Sequence, residues 1–131
     1  MPHKITIVNI RRADSNDINH ELQWLGTALG LFNLRDKDSS CFRVFITLVR
    51  TARQNKLLTS DEIADRLHLS RGTVVHHLSR LIDAGMVIHE HKGYILREGN
   101  LQSLINDIHR DVEGTFSQLL KVAQEIDEML G

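Results

Sequence analysis

Cysteine is nearly absent from this chain of 131 residues. Cys41 stands alone in an apolar run, so no disulfide can form within the chain, and the residue reads as a small buried hydrophobe. Nowhere do eighteen or more apolar residues follow one another, which excludes a single hydrophobic membrane-spanning helix of ordinary length. The opening MPHKITIVNIRR lacks the basic region, apolar stretch and small-residue cleavage site of a signal peptide. The expectation is therefore a cytoplasmic protein without membrane attachment. Also missing are a glycine-rich phosphate loop, a nucleophile elbow, a metalloprotease helix and any credible catalytic triad, so neither an enzyme nor a cofactor is expected. What remains is ordinary globular composition, 41% hydrophobic and 25% charged, enough for one modest core.

Charge of one sign is lacking overall, since the formal net charge is only −1. Its distribution is uneven. Between residues 66 and 97, Arg66, Arg71, Arg80, Lys92 and Arg97 face only Asp83 and Glu90, with five histidines added. From Glu98 onward, Asp107, Asp111, Glu113, Glu125, Asp127 and Glu128 outweigh Arg110 and Lys121. A basic middle can meet an anion while an acidic tail packs on protein, although a solvated charged surface has the same pattern.

Along the chain, residues 4 to 10 alternate weakly and read as a short strand or as an arm that docks on a partner. Asp17 caps a first helix with Ile18, Leu22, Leu25, Leu29 and Phe32 at helical steps, ending near Asn33. Gly26 and Gly30 lie four apart on its face, where a close helix contact can offset their cost in helix propensity, a chance pair being the equal alternative. Ser39 or Ser40 opens a second helix whose Phe42, Phe45, Ile46, Val49 and Ala52 form an apolar stripe, with Arg50, Arg53 and Lys56 near its C-terminal end.

The segment from Thr59 to Gly85 is the most informative. Thr59 and Glu62 have the spacing of a capping box, and Ile63, Ala64 and Leu67 follow as the inward side of a short helix. Ser70 caps the next helix, which ends at Gly85, where a helix C-terminus needs a residue at positive φ. Two short helices joined by a tight turn, with Ala64 at the crossing, Leu69 in the turn and Val74 and Leu78 as anchors, make a helix-turn-helix. Beyond it, MVIHEHKGYILRE reads as a hairpin with its turn at Lys92-Gly93, and with Val87, His89, Ile95 and Arg97 alternating against Ile88 and Leu96. The expected fold is mainly α with a small β-hairpin wing, a winged helix-turn-helix flanked by long N- and C-terminal dimerisation helices. Its expected parts are an arm and helix over 1–33, a core over 39–97 and a long helix over 100–131.

Residues Thr59 to Val87, TSDEIADRLHLSRGTVVHHLSRLIDAGMV, resemble the winged helix-turn-helix transcription regulators of the ArsR and MarR kind. LSRGTVVHHLSRLIDAGMV is most similar to the ArsR recognition helix. The resemblance implies a double-stranded DNA partner, with His76 at a DNA-contacting position and Val75 at a neighbouring one. At about 100° per residue, Val74, Leu78, Leu81 and Ile82 share the core side, while Gly72, His76, Ser79 and Arg80 lie nearly opposite, with Arg71 in the first turn. Adjacent residues diverge on a helix, so His76 and His77 cannot chelate one ion, and His77 reads as structural.

The expected DNA contacts are therefore Ser70, Arg71, Gly72, Thr73, Val75, His76, Ser79 and Arg80 on the helix, and His91, Lys92 and Tyr94 at the hairpin tip. Arg71 and Arg80 suit phosphate or guanine, Ser70 and Thr73 suit phosphate, and Val75 suits a thymine methyl. If several of His76, His77, His89 and His91 lie near phosphates, affinity should rise as pH falls toward 6.

Asn100 caps a last helix with Leu101, Ile105, Ile108, Val112, Phe116, Leu119, Ala123, Ile126 and Leu130 in register. At 1.5 Å per residue it is roughly 45 Å long, more than one small domain needs, so a homodimer is expected. The expected dimerisation residues are Leu22, Gly26, Gly30, Val112, Phe116, Leu119, Ala123 and Ile126, with Gly114 permitting a bend or close crossing. Two-fold symmetry would suit a palindromic operator.

The ArsR resemblance also raises a metal-responsive repressor. Its known ligand sets are a cysteine pair before the reading helix, or an Asp-x-His on the last helix completed downstream by His-x-x-His or His-x-x-Glu. Asp107-Ile108-His109 is present, but Leu120 and Ala123 fill the downstream positions, and Glu113 alone does not complete a set, so no metal is expected. The competing reading is a winged helix used as a protein-interaction module of a larger transcription or chromatin assembly. A small-molecule effector is not legible in the sequence.

Overall fold

Leu48, Val44, Phe45 and Cys41 are buried completely and form the centre of the core. They lie on one helix, around which the other core residues are gathered. The computed structural model describes residues 3–12, 15–32 and 38–131. Among these residues the elements run α1 (Ile18–Ala28), α2 (Ser40–Ala52), α3 (Ser60–Leu67), α4 (Arg71–Asp83), β1 (Val87–Glu90), β2 (Gly93–Leu96) and α5 (Leu101–Leu130). The fold is a winged helix-turn-helix with a C-terminal helix. Against α2 pack Ile63 of α3, Val74, Leu78 and Leu81 of α4, Val87 and Leu96 of the hairpin, and Leu104 and Ile108 of α5. The stripe expected on α2 is rotated slightly: Phe42, Ile46 and Val49 are half-buried at the margin of the cluster.

The first helix is shorter than its periodicity predicts. Asp17 caps it by accepting from the Asn19 amide, as expected, but α1 has 11 residues and ends at Ala28. Gly30 adopts φ +69°, and the Gly30 and Leu31 amides donate to the Thr27 and Gly26 carbonyls, closing the last turn. The long N-terminal helix expected from Leu29 and Phe32 is thus cut short by a glycine C-cap, and Asn33 lies outside the described residues. Gly26 and Gly30 do not share a helix face. A Cβ on Gly26 would stand 2.5 Å from Cδ1 of Phe42, whose ring lies 4.7 Å from that of Phe32, so the close approach is made within the chain.

The N-terminal arm forms no strand among the described residues. It is extended over its own domain, with the Lys4 amide donating to the Asp83 carbonyl at 2.6 Å and the Val8 amide to the Ala28 carbonyl at 2.8 Å. Ile5 packs against the core.

Helix α5 runs unbroken for 30 residues from its Asn100 cap. Its first three turns are docked through Leu104, Asp107 and Ile108, while every residue from Glu113 to Gly131 is exposed. About 27 Å of helix therefore stands clear of the domain, by the 1.5 Å rise per residue.

Candidate nucleic-acid interface

The local sequence sets the helix pair. Thr59 Oγ1 accepts from the Glu62 amide and Glu62 Oε1 accepts from the Thr59 amide, each at 3.1 Å, completing the capping box. These hydrogen bonds hold the Glu62 carboxyl below its usual range, the backbone amide being the largest cause. The turn into α4 passes through His68 at φ +56°, a left-handed conformation in which the His68 amide donates to Ala64. Arg43 of α2 donates to the Leu67 carbonyl at 2.7 Å and satisfies the end of α3 from outside the motif.

Ser70 Oγ accepts from the Thr73 amide at 3.1 Å and donates to Thr73 Oγ1 at 2.8 Å. The two hydroxyls are thus joined within the cap, and one proton of the pair is left to reach a phosphate. On α4, Arg71, Gly72, Val75, His76 and Ser79 are exposed and Thr73 and Arg80 half-exposed, whereas Val74, His77, Leu78 and Leu81 are buried. The exposed set forms one outer face. Arg71 Nε lies 3.6 Å from Asp61 Oδ1, a surface pair that an anion of higher charge can displace.

His77 is buried, with Nε2 2.6 Å from Ser40 Oγ at the start of α2. It therefore joins α4 to the core and cannot reach a phosphate. Of His76, His77, His89 and His91, the three left exposed are His76, His89 and His91.

The wing departs from the sequence reading in register. β1 and β2 pair Val87 with Leu96, Ile88 with Ile95, His89 with Tyr94 and Glu90 with Gly93. Val87, His89, Tyr94 and Leu96 consequently share one face, with Ile88 and Ile95 on the other, in place of the alternation expected. The two-residue turn is His91-Lys92, with His91 at φ +56°, and Gly93 opens β2. Gly93 is needed where it stands because a Cβ there would meet Leu57 Cβ at 2.8 Å. Leu58 and Tyr94 exchange two backbone hydrogen bonds of 3.1 and 2.7 Å, so the α2–α3 connection adds a single bridge beside β2. His91 and Lys92 are the exposed tip; Tyr94 is half-buried, its ring stacked on His89 at 4.2 Å and 7°.

One constellation was not anticipated. Arg97, after β2, donates to Asp111 Oδ2 at 2.7 Å and to the Gly85 carbonyl at 3.3 Å, and its Nε lies 3.3 Å from Asp107 Oδ2. His3 of the arm approaches Asp111 at 3.4 Å, and Arg110 is bonded to Asp107. Arg97 holds the Asp111 carboxyl below its ordinary range. Asp107 is held low first by a hydrogen bond with Glu98 and then by Arg110 and Arg97, while Glu98 is raised by the same Asp107 contact. Asp107 and Asp111 are four apart on α5, a spacing that marks one helix face, but nothing local names Arg97 as their partner. The network fastens α5 to the base of the wing and the end of α4.

Asp107 is therefore an ion-pair residue. His109 and Glu113 form a separate exposed pair at 3.6 Å, and no group of three possible metal-ligating side chains occurs among the described residues. Of the expected dimerisation residues, Leu22 and Val112 are half-buried, Gly26 faces Phe42 and Gly30 closes on Thr6. Phe116 (63% exposed), Leu119 (63%), Ala123 and Ile126 line the open face of α5, and beside Gly114 there is free space. No helix of the described residues is long and apolar enough to cross a membrane.

A buried α2, a capped helix pair and a hairpin wing define a winged helix-turn-helix. Residues 52–89 match the family described as bacterial regulatory protein, arsR family, and this stretch is a helix-turn-helix of the ArsR type. That match supports a DNA-binding transcription regulator. Over 62 residues the chain is 37% identical to the uncharacterized sugar kinase YeiI of Escherichia coli (strain K12), a match that takes in 47% of this chain and 17% of that protein. No solved structure matches the chain.

Proposed function

We propose that the protein is a homodimeric regulator that binds double-stranded DNA in a sequence-specific manner, with α4 in the major groove and the wing on the backbone or in the adjacent minor groove. The observation that carries this reading is the division of α4: Arg71, Gly72, Val75, His76 and Ser79 are exposed together while Val74, Leu78 and Leu81 are buried behind them. A helix held so rigidly from behind presents a fixed set of side chains to base edges. Arg71 and Arg80 serve phosphate or guanine, Thr73 and Ser70 the helix N-terminus, Val75 and His76 the bases, and His91 and Lys92 the wing contact. Tyr94 supports the wing through His89.

The exposed face of α5 supports the dimer. Phe116, Leu119, Leu120, Val122, Ile126, Met129 and Leu130 leave a contiguous apolar strip of a kind that soluble monomers seldom expose. Two-fold pairing through this strip fits a palindromic operator.

Selection of bound sequences from a random double-stranded pool tests the reading. Wild-type protein is expected to enrich an inverted repeat, and a folded Arg71→Ala/His76→Ala variant is expected to enrich none. Failure of folded wild-type protein to enrich any motif refutes sequence-specific binding and favours a protein-interaction module. Light scattering reads the dimer separately, and a monomer at tens of micromolar refutes that part.

A further inference from the structure

We propose that Gly72 is the point at which DNA comes closest to α4, and that its missing Cβ sets how deeply the helix enters the major groove. The inference rests on the proposed reading of α4 as the DNA-contacting helix. Its starting point is a glycine that the chain itself does not use. Gly26 and Gly93 stand where a Cβ would meet Phe42 and Leu57 at under 3 Å, while Gly30 and Gly85 adopt positive φ. Gly72 has neither reason. It is exposed in the first turn of α4, its φ is not positive, and a Cβ there would meet nothing within 4 Å. Alanine is a better helix former than glycine, so the chain carries a cost at this position with no return inside the fold.

Its place on the helix says where the return lies. At about 100° per residue, Gly72 falls near the midline of the outer face, with Arg71 and Val75 to one side and His76 and Arg80 to the other. An α-helix with its side chains is about 10–12 Å across and the major groove about 12 Å wide, so a helix enters with little room to spare. A side chain on the midline meets the groove floor first and holds the axis away from it. Glycine there lets the backbone itself approach. Depth then decides which side chains reach base edges: Arg71 is long enough to cross a gap, whereas the shorter Val75 and His76 reach only from a deeply seated helix. Phosphate contacts lie at the groove walls and depend less on depth, so the glycine governs specificity more than bulk affinity.

Gly114 provides an internal comparison. A Cβ there would also meet nothing within 4 Å, and nothing in the structure explains that glycine. It lies in α5, on the side of the helix roughly opposite Val112 and Phe116 and away from α4. Gly99, with the same open surroundings, lies in the link between β2 and α5, where no helix is at stake.

Gly72→Ala and Gly114→Ala in the full chain test the inference. The probes are the duplex recovered by selection with wild-type protein and a random duplex of equal length, read by fluorescence anisotropy at one salt concentration. Both variants are expected to melt at or above the wild-type temperature. Gly72→Ala is expected to lose at least about tenfold in the ratio of selected to random affinity, with random-duplex affinity kept within about twofold. Gly114→Ala is expected to keep the wild-type ratio. A wild-type ratio in Gly72→Ala overturns the inference, as does an equal loss in Gly114→Ala. A melting temperature of Gly72→Ala below wild type also overturns it, because the glycine then serves the fold. These three results presuppose a wild-type protein that selects a sequence, and they leave the reading of α4 standing. If folded wild-type protein selects none, that reading and this inference fall together.

Discussion

Replacing Gly26 by alanine puts two opposed effects on one atom. In a free helix the change is favourable by up to about 1 kcal/mol, because alanine loses less backbone entropy. In this protein the new Cβ would stand 2.5 and 2.6 Å from Phe42 Cδ1 and Cε1 and 2.9 Å from Phe32 Cε2. Neither ring retreats freely, since they pack on each other with centroids 4.7 Å apart and Phe42 also joins the core. Forcing a methyl into such a contact costs about 1–3 kcal/mol. The clash outweighs the propensity, and a net destabilisation of about 1–2 kcal/mol is expected. Urea unfolding at fixed protein concentration measures it. The same change in a Phe42→Ala background removes most of the clash and should become neutral or stabilising. A stabilised Gly26→Ala protein, or an equal loss in both backgrounds, refutes the packing argument.

Other outcomes follow from the caps and the charges. Thr59→Ala removes the capping box and should cost about 1 kcal/mol. Asp111 and Asp107 titrate below the ordinary aspartate value of 3.8, so their contribution is complete above that pH and is lost as pH falls through the folded values. Thermal unfolding from pH 6 down to 3 should therefore show a steeper loss in wild type than in Arg97→Met; equal slopes would remove Arg97 from the account. Glu98 is raised, which gives the opposite sign: its contribution is present at low pH and lost as pH rises through its folded value. Glu98→Gln, which removes one of two neighbouring carboxylates, should accordingly stabilise the protein at pH 7, as read by its melting temperature.

The amino-acid sequence by itself determined the elements whose signals are local. Asp17, Thr59, Ser70 and Asn100 each cap the helix they precede, Gly85 ends α4, and the apolar period of α4 separates the buried Val74, Leu78 and Leu81 from the exposed His76. Caps and helical periodicity act over three or four residues, so they can be read without knowing what lies across the core. Only the tertiary structure decided the pairings between distant residues. His77 meets Ser40 across 37 positions, Arg43 satisfies the Leu67 carbonyl, and Arg97 gathers Asp107 and Asp111 onto the base of the wing. The hairpin register lay between these cases: both strands were legible, but either face could be buried by a one-residue shift until Leu58 fixed Tyr94 and Leu57 pressed on Gly93. Gly26 shows the same limit. The sequence left a close contact and a chance pair of glycines equally open, and only the packed chain revealed Phe42 as what Gly26 meets, because a glycine carries no side chain to name its neighbour.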